Sequence, residues 1–259
     1  MHWSLPILTL GLLIGGCSCP SAPFPKTFLL TAYAAPILEA SPVPTAEFAT
    51  PLRSLPLTAK PYATRGAFAA GKASSPALAW IANPLDAYLA EVNGSVRLEF
   101  PNGRTTCLAW IATNQRPYTS LGKLLVEGGH ASPLTIDLGV IRQLHEDNPA
   151  LIESLMLLND RVVFFEAIEC HLWPRASTGE VLRPMESIAV DPAVIPLGSR
   201  VRLTGEWADG TPLDVTAVAI DIGGAIQGAR IDLYLGAGTD ALELAGAQRQ
   251  TVNVTILNP

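Results

Sequence analysis

A mainly β fold, with short helices gathered in the middle of the chain, is predicted by three observations. The 259 residues include 22 prolines and 21 glycines, which favours a loop-rich sheet fold over a helical bundle. Runs such as Thr27–Tyr33, Arg161–Phe165 and Thr251–Leu257 are short and rich in β-branched or aromatic residues. Helical spacing of apolar residues is concentrated between Ser120 and Leu158. With 49% hydrophobic and 15% charged residues the chain can build a packed core, and its length suits one large domain or two small ones. The net charge of −6 and the lack of any Lys/Arg run argue against a nucleic-acid partner, since phosphate binding needs a basic footprint.

Leu5–Ile14 is an apolar run too short to span a bilayer. It leads into Gly15-Gly16-Cys17 and so resembles a bacterial lipoprotein signal, with residues 1–17 as signal peptide and Cys17 as the lipidated residue. Met1-His2-Trp3-Ser4 departs from that pattern in having no Lys or Arg; ordinary secretion and a cytosolic chain are the alternatives. Ser18 after the cysteine fits an outer-membrane lipoprotein facing the periplasm. Ser18–Pro25 reads as a tether.

Thr27–Tyr33 is a strand, and a domain boundary falls near Ser41–Thr45 in a proline-dotted stretch. Asn83-Pro84 reads as a helix N-cap and first-turn proline, or as a tight turn. Val92–Phe100 alternates after its Gly94, and Thr105–Ala112 is the return strand across a hairpin signal at Pro101-Asn102-Gly103-Arg104. Ser120 caps a helix with Leu121, Leu124 and Leu125 on its apolar face, ended by Gly128-Gly129. Ile136–Glu146 has helical spacing, and Asn148-Pro149 opens a further helix. Arg161–Phe165 is a strand entering the last domain, and Ser177–Glu180 is a loop. Arg200–Thr204 and Leu213–Ile220 pair across an Asp209-Gly210 turn. Asp240–Glu243 starts a helix with capping-box spacing, and Thr251–Leu257 is the closing strand.

Cys17, Cys19, Cys107 and Cys170 include no pair at metal-ligand spacing, and the histidines do not cluster with them, Cys170-His171 excepted. No metal or organic cofactor is expected. Cys107 and Cys170 are either a disulfide or two free thiols.

The stretch Ser187–Tyr234 carries the chemistry. Asp191, Asp221 and Asp232 each sit in an apolar run, and buried carboxylates are costly unless paired or hydrogen-bonded. Each alone reads as a turn residue bonded to backbone amides; three together, with Gly223-Gly224 for close backbone approach, read as a shared site. A single carboxyl can cleave a glycosidic bond when the nucleophile lies within the substrate; otherwise two are needed.

Ser187–Gly198, Ile220–Gly228 and Arg230–Tyr234 resemble the three-aspartate domain of the membrane-bound lytic murein transglycosylase A family. Leu30–Pro36, Ala79–Tyr88 with Asn93-Gly94-Ser95, Pro117–Gly122 and Val163–Phe165 resemble further family segments, in order. Ala32, Ala34 and Ala35 depart from that pattern, as do Asn93, Val96 and a shortened 41–61 segment. The resemblance implies a double-psi β-barrel from both chain ends (18–41 and 161–259, with the three-aspartate domain at 187–257). A smaller β-domain with short helices is inserted at 42–160, and peptidoglycan lies in the groove between. It implies a lytic transglycosylase with Asp232 as acid/base, Asp221 tuning the site, and Asp191, Gly223 and Gly224 in support. Asp221 as proton donor is the alternative. Thr31, Tyr33, Ser95 and Tyr118 are candidate glycan contacts. The chain is expected to be a monomer, touching the membrane only through a lipid anchor. The rival readings are a non-catalytic peptidoglycan-binding lipoprotein and a hydrolase with a second, water-activating carboxylate.

Overall fold

A computed structural model of the chain describes residues 24–56 and 63–258. The expected signal peptide, Cys17 and nearly all of the tether lie outside the described residues. In order, the elements are β1 (Thr27–Ala35), β2 (Ile37–Glu39), β3 (Thr50–Arg53), α1 (Arg65–Ala69), β4 (Ala77–Ile81), α2 (Pro84–Asn93), β5 (Ser95–Glu99) and β6 (Thr105–Thr113). Then come α3 (Leu121–Glu127), α4 (Leu138–Asp147), α5 (Pro149–Met156), β7 (Val163–Ile168) and a 3-10 turn at Cys170–Leu172. The chain finishes with β8 (Ser187–Ala189), β9 (Arg200–Glu206), β10 (Pro212–Asp221), β11 (Arg230–Ala237), α6 (Thr239–Ala247) and β12 (Arg249–Asn258). The fold is mainly β with few helices.

Six strands close a barrel in the order β1-β11-β8-β10-β9-β12. Strand alternation sends Phe28, Leu30, Ile188, Leu203, Ile231 and Leu233 into its core, each no more than 1% exposed. β1 runs parallel to β11 and antiparallel to β12, so residues from the two ends of the described chain hold each other. The stretch between β1 and β8 forms a four-stranded sheet, β2-β5-β6-β7, and a hairpin-like pair, β3-β4. Helices α2, α3 and α5 share an apolar cluster of Leu85, Tyr88, Leu121, Leu125, Ile152 and Met156.

Local chemistry explains the helix ends. The Asn83 side chain accepts from the Leu85 amide with Pro84 in the first turn, and Gly94 ends α2 at φ 76. Ser120, Asp137 and Asn148 cap α3, α4 and α5 in the same way. α6 departs from expectation: it starts at Thr239, behind Gly238 at φ 86, with no side-chain cap. Asp240 therefore sits inside the first turn, where its charge favours the helix dipole.

β7 also differs from expectation. It does not re-enter the barrel but pairs with β6, Phe165 opposite Trp110. Phe165 packs into the cluster around Ile81 and Leu108, and Phe164 packs against Phe68 on the other side. A run apolar on both faces does not say which sheet receives it. The barrel resumes at β8, after a linker across residues 169–186.

Cys107 and Cys170 are joined in a disulfide, tying β6 to the start of that linker across 63 residues. Loop-closure entropy puts its contribution at about 4 kcal/mol. Cys107→Ala/Cys170→Ala is expected to lower the urea midpoint accordingly, and dithiothreitol to do the same to the parent. A loss below about 1 kcal/mol in both would refute the assignment of stability to this cross-link.

Candidate functional site

Four residues form a row across the outer wall of the barrel. Thr31 on β1 is in register with Asp232 on β11, Asp232 with Ala189 on β8, and Ala189 with Asp221 on β10. Asp232 lies between the core residues Ile231 and Leu233, so alternation turns it outward. Asp221 needs a further device. The register between β10 and β8 shifts by one residue between Ala219 and Asp221. Ala219 points into the core, Ile220 packs outside against Tyr234 and Leu182, and Asp221 faces the groove. Such an extra residue re-aims a side chain.

The two carboxylates have different surroundings. Asp221 Oδ1 accepts from the Ser177 amide (2.8 Å) and the Ile222 amide (2.9 Å). Its Oδ2 accepts from the Tyr33 hydroxyl at 2.9 Å. Burial, then the charge of Asp221, push the Tyr33 hydroxyl well above its ordinary pKa, so it stays a donor. Asp221 thereby joins β1, the linker and the end of β10. Asp232, by contrast, is half-buried, and its Oδ1 is shut off from solvent with no hydrogen-bond partner among the described residues. Burial pushes its carboxyl up to about 6; the Thr31 hydroxyl and Arg230 pull the other way, and Asp221 adds a smaller upward push.

Both aspartates line a groove of ≈ 940 Å³ and a narrower cavity of ≈ 240 Å³ that continues from it. The groove runs between the barrel's outer face and the α2, β6 and β7 region. Gly223, Gly224 and Tyr118 line it. A Cβ on Gly223 would meet Ile226 at 2.8 Å, and one on Gly224 would meet Arg161 at 3.3 Å, so the close approach read from the Gly-Gly pair is physical. Tyr33 lines the narrower cavity.

The other predicted residues sit elsewhere. Asp191 lines neither space. Its carboxylate accepts from the Gly228 amide (2.7 Å) and the Ala193 amide (2.9 Å), which hold its pKa below the usual range. It is the turn residue that Asp-Pro suggests. Thr31 lines neither space either; its hydroxyl accepts from Arg230 Nη2 at 3.2 Å behind the site. Ser95 is 1% exposed with its hydroxyl shut in, because β5 turns that side into the sheet, so it makes no groove contact. Asn93 instead lines both spaces and donates to the Ala34 carbonyl at 2.9 Å. Sequence reasoning missed Ser177, Arg161, Arg230 and the half-exposed Trp110, all on the groove. Among the described residues no group of three His, Cys, Asp or Glu could hold a metal.

These features define a mainly β barrel protein with two unlike carboxylates on its outer wall, facing a groove of ≈ 940 Å³. The family model for the MltA specific insert domain matches residues 29–166, and that for the 3D domain matches residues 186–258. The chain belongs to the membrane-bound lytic murein transglycosylase A family. It is 29% identical over 224 residues to membrane-bound lytic murein transglycosylase A of Vibrio cholerae, covering 82% of this chain and 60% of that protein. The chain thus spans about three fifths of that relative's length. The fold matches E. coli MltA with bound chitohexaose at a TM-score of 0.80 and 24% identity, over 90% of this chain and 73% of that one. A 71-residue stretch, 27% of this chain and 21% of the other, is 42% identical to the cell wall-binding protein YocH of Bacillus subtilis.

Proposed function

We propose that the protein is a peptidoglycan lytic transglycosylase. It cleaves the β-1,4 bond between N-acetylmuramic acid and N-acetylglucosamine without adding water. The observation that carries this reading is Asp232: a groove-facing carboxyl raised to about 6, with one oxygen buried and unpartnered among the described residues. A group that must give and then take a proton needs such a pKa near neutrality. Protonated Asp232 donates to the leaving glycosidic oxygen as the C1–O bond breaks. The muramoyl C6 hydroxyl then attacks C1, and its proton passes to the Asp232 carboxylate. The product carries a 1,6-anhydro ring, and the enzyme ends in its starting protonation state.

Asp221 is assigned to positioning rather than proton donation. Three donors already occupy its oxygens, so it holds Tyr33 and the linker loop around the site. Tyr33→Phe is expected to lower kcat about tenfold with little change in KM, through loss of one charge-assisted bond. An unchanged kcat would remove Tyr33 from the site's support.

The architecture proposed is a double-psi barrel that starts with β1 and resumes at β8, with 37–168 as the inserted glycan-binding domain. The proposed setting is the bacterial cell envelope, as a monomer anchored through lipid on Cys17 and facing the peptidoglycan. The match to a cell wall-binding protein favours one second reading, a non-catalytic wall binder. Mass spectrometry of products released from murein sacculi decides between them. Anhydromuramoyl ends, lost with Asp232→Asn, are the expected result. Products one water heavier would mean a hydrolase, and binding without release would favour the wall binder.

A further inference from the structure

The groove carries four guanidinium groups: Arg65, Arg161, Arg175 and Arg230. Two are neutralised locally, Arg65 by Glu91 at 2.7 Å and Arg175 by Glu166 at 2.5 Å. Arg161 and Arg230 are not: among the described residues neither has a carboxylate within ion-pair distance. Both are half-buried, in a chain with a net charge of −6. Arg230 acts electrostatically on Asp232 but makes no ion pair with it, and a guanidinium partly withdrawn from water without an ion-pair partner is costly.

Both are held in place by neutral acceptors. Arg161 Nε donates to the Arg116 carbonyl at 2.9 Å, and its guanidinium carbon stands 5.9 Å from the centre of the Tyr118 ring. Arg230 donates through Nη1 to the Ala225 carbonyl and through Nε and Nη2 to the Thr31 hydroxyl, at 3.2–3.3 Å. The turn Gly224-Ala225 lies between them. Gly224 abuts Arg161 and Tyr118, and the next residue's carbonyl holds Arg230. Both positive charges also act on the Tyr118 hydroxyl, lowering a pKa that burial raises. The contacts named leave N–H groups on each guanidinium unused.

We propose that Arg161 and Arg230 form an anion subsite beside Asp232 that takes a carboxylate borne on the muramoyl sugar of the bound strand. The inference rests on the glycan-cleaving reading above. A murein backbone of N-acetylated sugars is neutral, so the charge must come from the lactyl ether of the muramoyl unit. That ether ends in a free carboxylate or is extended by peptide carboxylates. Planar forks with fixed N–H groups suit either. The subsite sets which sugar of the strand occupies the position next to the proton donor.

Equilibrium binding tests this with the chain carrying Asp232→Asn, so that no strand is consumed. Three soluble murein strands are compared: peptide-free with lactyl carboxylates, the same strand amidated to neutrality, and a strand keeping its peptides. The peptide-free carboxylated strand or the peptide-bearing strand is expected to bind about tenfold more tightly than the neutral one. Preference for the peptide-free strand assigns the charge to the lactyl group; preference for the peptide-bearing strand assigns it to the peptide. The preference should fade as salt rises and vanish on Arg161→Gln/Arg230→Gln. The salt series needs no further variant, so it stands even where that double variant fails to fold. Equal affinity for all three strands overturns the subsite and leaves the glycan reading intact. No binding of any strand overturns both.

Discussion

Asp232→Asn is expected to cut murein cleavage by about a thousandfold or more, since it removes a general acid and a general base at once. The same change is expected to make the protein harder to unfold at pH 7. The Asp232 carboxyl is raised from an unfolded value near 3.8 to about 6 in the fold. Between those values the folded state binds the proton more tightly, so the stability this carboxyl contributes is full below about pH 4 and is lost as pH rises through 6. At pH 7 the ionised Asp232 thus costs the fold about 2–3 kcal/mol, which asparagine removes. Thermal melts of parent and variant should differ by several degrees at pH 7 and converge towards pH 4. In the parent, activity should fall as pH rises above about 6, because the first step needs the protonated acid. An inactive variant with the parent's melting temperature at pH 7 would leave Asp232 catalytic but deny the strain placed on it. An active variant would end the single-carboxyl mechanism.

Glu91→Leu is expected to cost 3–5 kcal/mol, read as a fall in the urea midpoint at constant slope. Glu91 and Arg65 side chains are 10% and 14% exposed, and their oxygens and nitrogens meet at 2.7 Å. Glu91 also accepts from the Val163 amide at 3.2 Å. Arg65 also donates to the Asn159 and Arg161 carbonyls and lies over the Tyr88 ring. Leucine keeps most of the bulk and strands a guanidinium away from water. Arg65→Met/Glu91→Leu should recover much of the loss, since no buried charge is then left unpaired. If the double variant is no better than the single one, the packing around α2 and β7 matters rather than the charge.

What the sequence made legible followed from local chemistry. Asn83-Pro84, Ser120 and Asn148-Pro149 announced their helices because a cap bonds an amide two or three residues away. Asp209-Gly210 marked its hairpin for the same reason, the Asp209 side chain accepting from the Thr211 amide. Asp221 and Asp232 were visible as carboxylates in apolar runs, but their facing was not. For Asp221 it depends on a register shift against β8, and the two meet only because β8 lies between β10 and β11. Ser177 looked like an ordinary loop residue; its amide matters only because the linker folds back onto β10. Arg161 and Arg230 are basic residues far apart in the chain, brought together only by the fold, around the Gly224-Ala225 turn and Tyr118. Ser95 was misjudged because strand alternation gives two faces and not which of them meets the groove.

The pairing of β1 with β11 and β12 has a consequence for biosynthesis. Thr31 and Ile231 touch across 200 residues, so the Thr31 end of the carboxylate row cannot close until β11 has been made, long after β1. The disulfide-bonded sheet, whose contacts are more local, can form earlier; the barrel must wait for its last strand, and closing so long a loop is slow. The bond-breaking face thus joins segments made early and late in the described chain. A chain cut short before β12 would leave β1 and β9 each without one of its two neighbours, so the barrel that carries Asp232 would stay open.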